Sequence, residues 1–345
     1  MATGSGLDAQ LGVKDEVTVG TAVTPDHFFE FDNEQLTNQP SYIEGSGIKA
    51  GRKFKSVNQA GIARQTANGK VEVPVMMKGF GWWWKHLIGS TANPVQIGTE
   101  TAYKQIHVPA GLRGVSFTCQ IGRPEENTGT VQPYTYNGCK VTDWNLTFAD
   151  NANTLLDFTV DAFTEVTATG LATASYVTGA QIYNFSHVNN FKIGGTATTA
   201  SGETTIAGST AVASVVSSMT ITGKNTLETT RYGLGNSGVK KEQLETDFTS
   251  ITGTFKGEFL QSDFQSIFSG GTTTAIQIDS QGPVIQGSDH YLLSVIMPAC
   301  KITKAAPYVS GPGLVTVDGE FMVYDPDDGS NPPFQLKYVS TDTVR

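Results

Sequence analysis

The residue pattern points to a mainly β chain that states one design twice, each statement carrying one short helix. Three observations support this. Composition is turn-rich and sparingly charged, with 38 glycines among 345 residues, 38% hydrophobic and 16% charged, which favours strands and turns over long helices. Apolar residues largely alternate at period two. The stretch from Gly69 to Gly89 also returns, in weaker lettering, from Gly253 to Gly270.

In the first of these stretches Val71, Val73 and Val75 alternate with Glu72 and Pro74, giving a strand with one apolar face. After Gly79 the period changes. Phe80, Trp83, Trp84, Leu87 and Ile88 fall at helical spacing, and Gly89 is placed to end the helix. Gly253 stands as far before Phe264 as Gly69 before Phe80, and Ile267 and Phe268 take the places of Trp83 and Trp84. These helix residues are expected in the core. Cys139-Lys-Val-Thr142 is mirrored by Cys300-Lys-Ile-Thr303, and Asp157 lies as far past Cys139 as Asp318 past Cys300. Several matches in one order favour tandem duplication.

Taken in order, residues 1–25 are small and polar and read as an arm. A first domain covers 26–166, with strands at Phe28–Leu36, in the stretch above, and at Tyr103–Val108, Gly114–Ile121, Cys139–Phe148 and Leu155–Phe163. The Thr-, Ala- and Gly-rich region 167–213 reads as a connection or long loop, with a hairpin around Asn189-Asn190. A second domain, 214–325, repeats the first through strands at Ser218–Thr222, Thr274–Asp279, Tyr291–Met297, Cys300–Thr303 and Leu314–Tyr324. The tail, 326–345, contains Pro332-Pro333 and reads as a second arm.

Chemistry is sparse. The formal net charge is -9, against the basic balance of a protein that grips DNA through phosphates. Cys119, Cys139 and Cys300 form no C-x-x-C pair and read as free, partly buried thiols of a reducing compartment. Met1–Gly12 has neither the basic nor the apolar region of a signal peptide, and no apolar run is long enough to span a bilayer. There is no G-x-S-x-G turn and no phosphate-binding glycine loop. The five histidines are scattered singly, without metal-ligand spacing, and Asp325-Pro-Asp-Asp-Gly329 lacks the closing Glu of a calcium loop. No cofactor or metal is expected.

Three surface features remain. Two tryptophans of the Trp82-Trp83-Trp84 run are expected inward, leaving Trp82 outward as a candidate interface residue. Lys49, Arg52, Lys53 and Lys55 form a basic cluster in a glycine-rich loop, suited to an acidic face of a neighbouring subunit or to water. The last strand of each half carries acids on its polar face: Asp157 and Asp161 in the first, Asp318 and Glu320 in the second.

The run Gly6-Leu-Asp-Ala-Gln-Leu-Gly-Val-Lys-Asp-Glu-Val-Thr-Val-Gly-Thr-Ala-Val23 resembles the start of the tail tube (major tail) proteins of long, non-contractile bacteriophage tails, in its G-[VI]-K-x-E-x-x-x-G-T-A-V pattern. Glu34-Gln35-Leu36, the strand and helix of Gly69–Gly89, and Val295-Ile-Met-Pro298 continue the likeness in the family's order. The long 167–213 stretch and the tryptophan triplet depart from it. The resemblance implies two tandem β-sandwich domains, each with a flanking helix, whose inner sheets form a β-barrel lumen on oligomerisation. It implies a structural virion protein rather than an enzyme, stacked as rings into a conduit for the genome and assembled in the host bacterial cytoplasm. Its partners would be other copies of itself, the tape measure protein and the tail tip and terminator proteins, with DNA only in passage and no membrane. Two domains per chain imply trimeric rings with pseudo-sixfold symmetry, with hexameric rings as the alternative. Asp157, Asp161, Asp318 and Glu320 become candidate lumen-facing acids, since a wall that repels phosphate would not retain DNA. A decoration protein or adhesin of the capsid or tail would share the composition. A lectin or carbohydrate-active enzyme would use Trp82 as a sugar platform and would need paired carboxylates across a cleft.

Overall fold

Period-two alternation is realised in long antiparallel strands. The computed structural model describes residues 4–90, 92–309 and 311–344, and it is mainly β. The chain opens with β1 (Gln10–Asp15) and β2 (His27–Phe29), then two short edge pieces, β3 (Asn33–Glu34) and β4 (Thr37–Asn38). A hairpin of β5 (Ser41–Glu44) and β6 (Ala60–Arg64) leads into β7 (Ala67–Pro74) and helix α1 (Gly81–Ile88). Next come β8 (Val95–Gln96), β9 (Tyr103–His107), β10 (Phe117–Pro124), the long β11 (Val131–Ala149), β12 (Leu155–Ala162) and β13 (Thr164–Val166). The second half begins with β14 (Val188–Ile193), the hairpin β15 (Thr196–Ala200) and β16 (Glu203–Ala207), β17 (Thr210–Ala211) and β18 (Val216–Lys224). It continues through β19 (Leu227–Glu228), β20 (Leu244–Glu245), β21 (Ser250–Glu258), helix α2 (Ser266–Gly270), β22 (Thr273–Gln286), β23 (Asp289–Lys304), β24 (Thr316–Val323) and β25 (Gln335–Ser340).

The pairings repeat. In the first half β2 pairs β1, β1 pairs β10, β10 pairs β11, β11 pairs β12 and β13, and β12 pairs β7. In the second, β17 pairs β14, β14 pairs β22, β22 pairs β23, β23 pairs β24 and β25, and β24 pairs β21. β7 has the edge pieces β3 and β4 on its other side, and β21 has β18. The halves are joined twice, by β11 with β18 and by β25 with β9.

This order corrects the expected limits of the arms. The N-terminal segment is a sheet strand from Gln10, with Leu11 and Val13 fully buried; residues 1–3 lie outside the description. The C-terminal segment is likewise no free arm. Phe334, Leu336 and Tyr338 are buried, β25 lies between β23 and β9, and the Tyr338 hydroxyl donates to the Met76 carbonyl at 3.1 Å. Region 167–213 contains β14 and β17, the counterparts of β1 and β2, so the second half opens near residue 188. The strand β14 continues through Asn189-Asn190 with a register shift at Asn189, and the hairpin turns instead at Ser201-Gly202. A polar surface strand carries too little apolar alternation to stand out from a loop.

Helix α1 runs as its spacing predicts. Phe80 caps it, and Gly89 ends it in the left-handed region at φ 79°, where a Cβ would also meet the Ala110 carbonyl oxygen at 2.1 Å. Trp83 sits 4.4 Å from Phe158 of β12 and 5.2 Å from Phe29 of β2, ring centre to ring centre, and Phe80, Trp84 and Leu87 are buried beside it. Trp82 does not point outward. It is 2% exposed, packed 4.1 Å from His86 and 5.3 Å from Phe117. The cause is the same as for the N-terminal segment: β1 and β2 are sheet strands, so they cover the side of the helix that an arm would leave open.

The second helix is shorter and less regular. A π-helical turn, Gln261–Gln265, precedes α2 and is broken at Asp263. Phe264 is buried against Phe255 at 4.1 Å, whereas Ile267 and Phe268 are only partly buried.

The N-terminal motif has a physical basis. Glu16, 7% exposed, accepts from the backbone of Gly20 and Gly138 at 2.7 and 2.8 Å and from the hydroxyls of Ser116 and Thr118 at 2.7 and 3.0 Å. It thus pins the turn after β1 to β10 and β11. Next to it Asp15 accepts from Lys85 and, at 2.7 Å, from His86, which ties β1 to α1. Burial would raise the Asp15 pKa, but the hydrogen bonds and charges of His86 and Lys85 outweigh it and hold the carboxyl far below its usual range. A depressed acid stabilises the fold above its unfolded pKa of about 3.9 and loses that contribution as pH falls. Between pH 4 and pH 2 the urea midpoint of the parent chain should therefore drop more steeply than that of Asp15→Asn; parallel curves would refute the linkage.

Candidate assembly surfaces

Strands β7, β12, β11, β18, β21 and β24 form one continuous sheet across both halves. Its apolar side faces the core. Its other side is polar, because register keeps paired residues on one face. One rung runs Glu72, Asp157, Asn145, Thr222, Thr252, Met322, Lys301.

All four sequence-predicted acids lie on this polar side by register, and three of them are on its open part. Asp157 is half-buried and accepts from Asn145 at 2.9 Å. Asp318 accepts from the Tyr308 hydroxyl at 3.1 Å, and exposed Glu320 pairs with Lys304 at 3.1 Å. Lys70, Lys224 and Lys256 share the face by register, so it is mixed in sign rather than uniformly acidic. The fourth acid, Asp161, is not open to solvent. Its side chain is 7% exposed, paired with Lys240 at 2.5 Å and with Gln243 Nε2 at 2.8 Å. Burial raises its pKa, opposed by Lys240 and Gln243. Alternation placed Asp161 on the correct face, but a distant segment of the second half covers that end of the sheet.

That segment is residues 225–249, between β18 and β21. Asn225 Nδ2 donates to the carbonyls of Leu87 and Val141, each at 2.9 Å. Lys140, 1% exposed, donates to Leu112 O and Glu242 Oε1 at 2.8 Å and to Gln243 O at 2.9 Å. Burial lowers the Lys140 pKa, against the opposing pull of Glu242. Gln243 is fully buried and reaches the Gly138 carbonyl at 3.1 Å. Sequence reasoning assigned no role to Lys140, Lys240 or Gln243; the one signal was Lys140 inside the Cys139–Thr142 repeat.

The corresponding segment of the first half, residues 39–66, behaves differently. Its hairpin β5–β6 pairs only with itself, and Tyr42, Ile43, Ile48, Phe54 and Val57 are exposed. Lys49, Arg52, Lys53 and Lys55 sit at its tip, all exposed, and Lys55 pairs with Glu44 of the same hairpin.

The three thiols are fully buried, and burial pushes each pKa up, which makes them poor nucleophiles. Among the described residues no group of three or more His, Cys, Asp or Glu could hold a metal ion. Among the described residues no helix is long and apolar enough to cross a membrane.

Comparison with curated proteins gives no match. A family model described as phage tail tube protein matches residues 6–323, from the Glu16 motif through both halves to the end of β24. The mainly β chain with its continuous two-half sheet belongs to the phage tail tube protein family, structural proteins of the virion tail.

Proposed function

We propose that copies of this chain join side by side into rings, and that the rings stack into the tube through which the genome passes. The observation that carries this is the seam between the halves. There β11 of one tube domain pairs with β18 of the next along Asp143–Ala149. The counterpart of that β11 segment is the stretch after β23, residues 304–309, whose Tyr308 bridges Thr316 of β24 as Thr147 faces Leu155 of β12. The counterpart of β18 is the edge formed by β3 and β4. Laying 304–309 of one copy beside 33–38 of the next repeats the internal seam, a head-to-tail contact that closes into a ring and leaves no free sheet edge.

The two halves are then copies of one domain, and three chains supply six domains around a pseudo-sixfold axis. The polar sheet face lines the lumen, with Asp157, Asp318 and Glu320 on it. The acids interleaved with Lys70, Lys224 and Lys256 leave that wall without the basic excess that would hold DNA by counterion release. The role is mechanical rather than catalytic. Tape measure and tail tip proteins are the natural partners inside and at the end of such a tube, and assembly belongs to the host cytoplasm.

Electron microscopy of the purified protein, with mass measurement of single rings, tests this. Tubes built on three copies per ring are expected. Six copies per ring would keep the conduit and discard the seam argument. Abundance on the virion head rather than the tail would favour a decoration protein.

A further inference from the structure

The 39–66 and 225–249 segments hold the same place in their halves: 28 residues lie between the paired Asn38 and Ala67, and 27 between the paired Gly223 and Ile251. Each carries a short hairpin. Gln59 stands as far before Gly69 as Gln243 before Gly253. Yet one segment is docked and the other projects. We propose that residues 39–66 of one copy seat on the second half of the neighbouring copy, as 225–249 seat on the first half of their own chain, with Phe54 against Phe248 and Gln59 beside Lys301. This rests on the ring reading above.

The receiving surface is already formed. Lys301 holds the register place of Lys140: Lys140 faces Asp161, and Lys301 faces Met322. Lys140 is buried with three acceptors, whereas Lys301 is exposed and its side chain makes no hydrogen bond or ion pair among the described residues. In the first half the Gln243 carbonyl of the docked segment accepts from Lys140, and Gln59 holds the place of Gln243 in the projecting segment.

The apolar contact has the same precedent. Phe248 is 92% exposed and stands as far before Gly253 as Arg64 before Gly69. Arg64, though exposed, is touched by the docked segment: its guanidinium lies 4.6 Å from the Tyr232 ring centre, and a Cβ on Gly238 would sit 3.4 Å from its Cα. The place of Gly238 in the projecting segment belongs to Phe54, 86% exposed. Docking brings these two solvent-exposed rings together and sets Lys53 near Asp247. It also supports a two-stranded hairpin that is marginal alone in water.

A Phe54→Cys/Phe248→Cys chain, assembled and treated with a mild oxidant, tests the contact, with each single variant as control. Covalent dimers and closed trimers from the double variant alone are expected. Lys301→Ala should leave the melting temperature of the free subunit unchanged and raise the concentration needed for tube formation about tenfold. Tubes that form normally but give no crosslinked species, or Lys301→Ala chains that assemble at the parent concentration, would overturn the inference and leave the ring reading standing. A parent chain that forms no rings under any condition would overturn both.

Discussion

Trp82→Ala should destabilise the fold as severely as Trp83→Ala, each by about 3–5 kcal/mol, the usual loss for a large aromatic removed from a packed core. Both rings are at most 2% exposed. Trp83 touches β2, β10 and β12 at once, so its removal opens a cavity that no one strand can fill by shifting. Trp82 fills the gap between α1 and β10 and stacks on His86. A typical domain is stable by only about 5–15 kcal/mol, so either variant approaches the limit of folding. Urea denaturation followed by tryptophan fluorescence gives the comparison. A Trp82→Ala midpoint close to the parent's, as for a surface substitution within about 0.5 kcal/mol, would show that this tryptophan is not in the core.

Lys240→Ala should cost about 3–5 kcal/mol, because it strands the buried Asp161 carboxylate without its cation. It should also loosen residues 225–249, whose hydrogen exchange would rise before that of β12. Asp161→Asn combined with Lys240→Met should recover much of the loss, since replacing a buried pair costs far less than breaking one. The pH dependence has a definite sign. Without Lys240 the folded pKa of Asp161 rises further above its unfolded value of about 3.9. A raised acid favours the fold below the unfolded pKa and loses that as pH climbs through the folded pKa. The deficit of Lys240→Ala should therefore shrink as pH falls from neutrality toward 4. A deficit constant over that range would mean that Asp161 is hydrated rather than buried.

What the sequence revealed follows the strength of local signal. Helix α1 was legible because five bulky apolar residues and a terminal glycine agree. The inner strands were legible because valines alternate with polar residues in β7. The likeness of the two halves showed in lettering at β7, α1, β11 and β12, where core packing restricts the choice of residue. It did not show at β1 and β14, or at β13 and β25, which pair alike but share no residues. Period alone put the four acids together on the polar side of the sheet. Nothing local could reveal that 225–249 folds back on Asp161, because Lys240 and Gln243 are far away in sequence and look like any surface pair.

The seam between the halves carries one more consequence. There Trp144 lies across Gly223, whose missing side chain admits the ring: a Cβ would come within 2.2 Å of it. Because both residues belong to one chain, this contact forms at the high effective concentration of a tethered pair. Dilution cannot separate it, and its formation is first order. In the three-chain ring proposed above, every second lateral contact would exist before two subunits meet. Three chains then meet in two encounters where six separate domains would need five, and the rate of ring assembly should depend on a correspondingly lower power of protein concentration.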